Sequence, residues 1–151
     1  MRFLYAIKII LLFFAFVFSV STSAQQTYRD NFSSVSYSNN NGNTNFSAAW
    51  NEDNDGDSPS GGNIRITGNR LRFDDLDGND RIRRTLDLSG ASSVTLTLNY
   101  DADERGNEGL DIELWNNTTS SWQTIASINN TKTGTVSHNL TSAQISSNSA
   151  I

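Results

Sequence analysis

The stretch Val94-Thr95-Leu96-Thr97-Leu98-Asn99-Tyr100-Asp101 decides the fold class. Val94, Leu96, Leu98 and Tyr100 alternate with Thr95, Thr97, Asn99 and Asp101. Successive side chains of a strand point to opposite faces, so this is a strand with one apolar side and one wet side. The pattern returns at Leu110, Ile112 and Leu114 against Asp111 and Glu113. Upstream, Ile64 and Ile66 are followed by Gly68-Asn69 and then by Leu71 and Phe73. A Gly-Asn pair between two alternating runs marks a two-residue hairpin, with glycine taking the first, positive-φ position. Residues 28–32, 46–50, 81–88, 122–128 and 133–140 read as further short strands. No window sustains a 3.6-residue period over three turns, so helices are not expected. Short alternating strands at intervals of about ten residues predict an all-β fold, an antiparallel β-sandwich of the jelly-roll type.

Composition points the same way. The 151 residues fit one domain, and they include 21 Ser, 14 Thr and 19 Asn. These residues favour strands, turns and caps over helix interiors. Lys plus Arg is 11 and Asp plus Glu is 16, for a formal charge of -5. That balance speaks against a nucleic-acid partner gripped by phosphate contacts. There is no Cys, which excludes disulfide staples and thiolate metal sites.

Residues 1–24 read as a secretory signal peptide. Arg2 and Lys8 give the positive start, residues 9–18 are an unbroken apolar run, and Thr22-Ser23-Ala24 supplies small residues for cleavage. The run is too short to be a membrane anchor, which takes about 20 apolar residues. Cleavage before Gln25 leaves residues 25–151 as the sandwich module. Its charge becomes -7, because Arg2 and Lys8 leave with the peptide. Export without Cys suggests a bacterial chain, secreted or held at the outer cell surface with no membrane span. Residues 143–150 are polar, and Ala150-Ile151 reads as the start of another strand. The expectation is a sandwich that continues beyond Ile151.

Several stretches carry a resemblance. They are Asp30-Asn31-Phe32, Tyr37-Ser38-Asn39-Asn40-Asn41-Gly42, Trp50-Asn51-Glu52, Gly62-Asn63-Ile64-Arg65-Ile66, Leu71-Arg72-Phe73, Arg83-Arg84 and Leu88-Ser89-Gly90-Ala91. Over residues 28–128 the pattern resembles jelly-roll accessory modules, of concanavalin A-like or MAM-like type. Such modules occur in exported adhesin-like or polysaccharide-degrading proteins of gliding Gram-negative bacteria. The resemblance implies an extracellular accessory role in adhesion or glycan binding, and it includes no catalytic signature. The segment Trp115-Asn116-Asn117-Thr118-Thr119-Ser120-Ser121-Trp122 also resembles an Asp-box hairpin. Asn117 and Thr119 replace its Asp and Gly, so the segment reads as a plain hairpin.

Three acidic groups are candidates for calcium. Asp53, Asp55 and Asp57 occur as D-N-D-G-D, and Asp74, Asp75, Asp77 and Asp80 as DDLDGND. Asp101, Asp103, Glu104 and Glu108 form the third group. Calcium takes 6–8 oxygens, and alternate carboxylates around a glycine can bend onto one ion. The first group opens like an EF-hand loop, but Ser58 replaces its glycine and Ile64 its closing Glu. The alternative is solvated turn residues bonding to their own backbone.

Trp115 is out of phase with Leu110, Ile112 and Leu114, so it is expected to face outward and contact a ligand. Trp50, Trp122 and Tyr100 are assigned to the core. Arg81 and Arg83 fall on the strand face opposite Ile82, where they could meet neighbouring aspartates or a carboxylate-bearing polysaccharide. His138 is the sole His, and no pocket signature frames an acidic pair, so the segment reads as non-catalytic. The reading is an extracellular recognition or adhesion module with a possible calcium ion and a glycan partner. The alternatives are a carbohydrate-binding accessory domain of a larger hydrolase, an enzyme whose active site lies beyond Ile151, and a spacer.

Overall fold

The computed structural model describes residues 25–54, 56–74, 76, 78–101, 109–129 and 133–151. Residues 1–24, read above as a signal peptide, lie outside them. Among the described residues the regular structure is all strand, without helix. The elements are β1 (Asn51–Asp53), β2 (Ile64–Thr67), β3 (Arg70–Phe73), β4 (Arg81–Arg83), β5 (Thr85–Leu86), β6 (Thr95–Asp101), β7 (Gly109–Asn116), β8 (Ser121–Asn129), β9 (Thr133–Asn139) and β10 (Ser149–Ala150).

Every pairing is antiparallel, and the pairs are nested. The β2–β3 hairpin sits inside the β1–β4 pair. The β7–β8 hairpin sits inside β6–β9, which sits inside β5–β10. Alternation dictates the faces. In β6 and β9, Leu96, Leu98, Tyr100, Val136 and His138 are half-buried, and the residues between them are exposed. Tyr100 lies over Gly134, its cross-strand partner, whose missing side chain leaves room for the ring. On the wet side Thr95 donates to Asn139 and Thr135 to Asn99, each at 2.8 Å. Such cross-strand polar pairs add modestly to a ladder. The buried apolar residues are Ile64, Ile66, Leu88, Ile112, Leu114, Ile128 and Ala150.

Two local features refine the expected elements. Gly68 and Asn69 both have φ of +59°. The β2–β3 turn is therefore type I′, with both central residues left-handed instead of glycine alone. In the β7–β8 hairpin, Ile112 faces Ala126 but Glu113 faces Thr124. Ile125 is the extra residue of a β-bulge.

The expected strands at 28–32 and 46–50 are absent. Asparagine side chains supply bonds there that a ladder would otherwise make. Asn43 Oδ1 accepts from the Thr27 amide at 2.7 Å, Asn41 Oδ1 from Asn31 at 3.1 Å, and Asn40 Oδ1 from Phe46 at 2.8 Å. Local amide bonds of this kind compete with regular structure. The expected strand at 81–88 is likewise split, because Arg84 turns inward between β4 and β5.

Arg84 joins the two ends of the fold. Its side chain is 1% exposed and that of Asp30 is 3% exposed, so theirs is a buried ion pair. Nη1 donates to Asp30 Oδ2 at 2.7 Å, Nε to the Ala48 carbonyl at 2.9 Å and Nη2 to the Asn39 carbonyl at 2.8 Å. The guanidinium stands 3.8 Å from the Phe46 ring centroid, in cation–π geometry. Asp30 also accepts the Trp50 indole N–H at 3.0 Å through Oδ2 and the Phe32 amide at 2.8 Å through Oδ1. The Phe32 bond holds that residue at φ +53°, a conformation uncommon for a bulky side chain. Meanwhile the Arg84 backbone pairs in both directions with Ile151. Burial pulls the guanidinium pKa down against the opposing charge and hydrogen bond of Asp30. The group nevertheless remains cationic at physiological pH.

Candidate functional site

The inward turn of Arg84 sets the site. Side chains alternate along an extended chain, so its neighbours Arg83 and Thr85 point the other way. Thr85 pairs with Ala150 across the β5–β10 ladder. On the adjoining hairpin Trp115 pairs directly with Trp122. Directly opposed residues share a face, and that face is opposite the one holding buried Leu114. The result is a shallow groove of about 210 Å³ lined by Arg83, Thr85, Trp115, Trp122, Asn148 and Ala150.

The two indoles meet edge to face, with centroids 5.5 Å apart and planes at 71°. This arrangement matches the ring quadrupoles and leaves aromatic surface toward the groove. Around it stand three polar groups. Thr85 Oγ1 accepts from Ser47 at 3.3 Å. The Asn148 side-chain amide has no hydrogen bond among the described residues. Arg83 reaches Asp53 through Nη2 at 3.4 Å. That pair is 45% and 32% exposed, and exposed pairs contribute only about 0–1 kcal/mol.

The structure thus brings together two of the ligand-binding residues expected from sequence, Trp115 and Arg83. Arg81 is exposed opposite Asp53 on β1 and does not line the groove. Trp122, assigned to the core, lines the groove instead. The bulge explains the difference, because one extra residue in β8 reverses the phase beyond it. By strict alternation Trp122 shares a face with Ile128; past Ile125 it faces the other way. One sequence signal pointed to this. Trp115 and Trp122 flank a symmetric turn, and closing it at Asn116 and Ser121 makes them cross-strand partners. Thr85, Asn148 and Ala150 carried no such signal.

Of the calcium candidates among the described residues, Asp53 and Asp74 are engaged by arginines. Asp74 receives both Arg65 and Arg72, the latter at 2.8 Å through Nε. Arg65 and Arg72 face each other across β2–β3, so Asp74 relieves their repulsion. Burial raises its carboxyl pKa, but the hydrogen bonds and charges of Arg72 and Arg65 outweigh this and leave it below the usual range. Asp53 is held by Arg83 and by Asn51 at 3.3 Å. Asp57 is exposed. Asp55, Asp75 and Asp77, with Asp103, Glu104 and Glu108, lie outside the described residues. Among the described residues no three acidic or histidine side chains gather to hold a metal. His138, the sole histidine, lies 3.4 Å from Gln144 Oε1. Among them, too, no helix is long and apolar enough to cross a membrane.

No family model matches the chain, and no curated protein or solved structure is significantly similar to it.

Proposed function

We propose that this chain is an exported, non-catalytic recognition module that binds glycans through the Trp115–Trp122 groove. The observation that carries the reading is the pair of cross-strand indoles set beside a guanidinium, a hydroxyl and an uncommitted amide. A pyranose ring presents C–H faces that pack on aromatic surface, and its hydroxyls suit the polar rim. The groove is smaller than the roughly 300–1,000 Å³ of sites that enclose a whole ligand. It suits one ring of a polymer whose remainder stays in solvent, as an adhesive or accessory module requires. The nested pairing supports a jelly-roll sandwich, since a long hairpin rolled on itself pairs its strands in this order. The charged start, apolar run and small-residue end of residues 1–24 support export.

The test is a glycan array followed by titration calorimetry. Wild-type chain is expected to bind at least one polysaccharide class. Trp115→Ala is expected to weaken that binding by about tenfold or more, the effect of losing one stacked aromatic. An array without hits, or a Trp115→Ala variant of unchanged affinity, would overturn the reading. A stabilising calcium ion would draw on Asp53, Asp55, Asp57, Asp75 and Asp77, and on Asp74 only at the expense of its contacts with Arg65 and Arg72. If an ion is held there, a chelator lowers the melting midpoint and added calcium restores it. An unchanged midpoint removes calcium from the account.

A further inference from the structure

The cation in the groove carries more than general sugar binding. Arg83 is the sole charged residue among the six that line it. Its ionic partner among the described residues, Asp53, lies at 3.4 Å through one nitrogen, and both side chains remain substantially exposed. A guanidinium offers a planar fork that a carboxylate or sulfate can engage with two short bonds. A ligand oxyanion therefore gains a better contact than the one Asp53 makes. The chain's formal charge is -5, so long-range attraction of a polyanion is not available. Any preference for an anion must come from this one local contact.

We infer that the groove selects an anionic sugar, a ring bearing a carboxylate or sulfate within an acidic polysaccharide. The ring lies on the Trp115–Trp122 surface, its oxyanion meets Arg83, and Asn148 takes a neighbouring hydroxyl. This inference rests on the glycan-binding reading above and names its ligand class.

The experiment measures binding of the full chain to three soluble polymers: a polyuronate, a sulfated galactan and an unsubstituted β-glucan. At least one acidic polymer is expected to bind about tenfold more tightly than the β-glucan, the effect of one charge-assisted contact. Preference for the polyuronate alone would identify the oxyanion as a carboxylate, and for the galactan alone as a sulfate. Arg83→Gln is expected to bring the ratio near one, and Arg83→Lys to retain part of it. Arg70→Gln removes the same charge from β3, at an exposed pair with Asp101, and is expected to preserve the ratio. Equal binding of neutral and acidic polymers by the wild type would overturn the inference and leave the glycan reading standing. So would a ratio that survives Arg83→Gln. Absence of binding to all three, with an array that is also blank, would remove both.

Discussion

Replacing Arg84 by alanine is expected to lower the unfolding free energy by about 3–5 kcal/mol, the usual result of breaking a buried ion pair from one side. The loss has identifiable parts. Asp30, 3% exposed, loses its counter-charge and keeps, among the described residues, the Trp50 and Phe32 N–H groups as partners. The Ala48 and Asn39 carbonyls lose their guanidinium donors; Ala48 is exposed and Asn39 half-buried, so water offsets part of that loss. Phe46 loses the cation over its ring. For a domain of this size, total stability is of order 5–15 kcal/mol, so the variant gives up a large part of it. Arg84→Lys preserves charge but cannot serve three separated acceptors, and falls between the two. Asp30→Ala combined with Arg84→Ala is expected to cost less than the sum of the single changes, since neither charge is then stranded. Urea unfolding of the four variants checks this. A single-variant loss below about 1 kcal/mol would show that the pair does not tie residues 28–50 to the body.

Ile64→Ala should be the next most damaging change, at about 2–5 kcal/mol, with Ile64→Val at about 0.5–1.5 kcal/mol. Ile64 is fully buried and opens β2 opposite Phe73. Its carbonyl lies 2.9 Å from the Tyr37 hydroxyl, which also meets Glu52 on β1. Truncation leaves a void at a fully buried position, and close-packed surroundings collapse only partly around it. Thermal and urea unfolding report the difference between the two variants. Equal effects of Val and Ala would mean that the site relaxes freely and that Ile64 is not the packing centre its burial indicates.

Much of the fold was legible because strand alternation is a local property. Residues 94–101 announce β6 through their own sequence, and so do Leu110, Ile112 and Leu114 for β7. The Gly68-Asn69 turn was legible because few residue pairs accept positive φ. The N-terminal segment was misread for an equally physical reason. Residues 28–32 and 46–50 were read as short strands, but asparagine amides accept from the Asn31 and Phe46 N–H groups in place of a ladder. Of the groove, Trp115 was legible from its phase in β7 and Arg83 from its place opposite Ile82. Strict alternation misplaced Trp122, because the bulge at Ile125 depends on both strands of the hairpin together; the symmetric turn it shares with Trp115 was its one local signal.

Sequence alone determined the all-strand class, the wet and oily faces of the longer strands and the outward aim of Trp115, because each depends on neighbours one or two residues away. Tertiary structure alone decided that Arg84 turns in while Arg83 and Thr85 turn out. It also decided that Asn148 and Ala150 complete the groove. Those outcomes depend on partners more than fifty residues apart, Asp30 with Arg84 and Thr85 with Ala150. A buried charge is tolerated only where such a distant partner arrives, and no local pattern in the chain records that meeting.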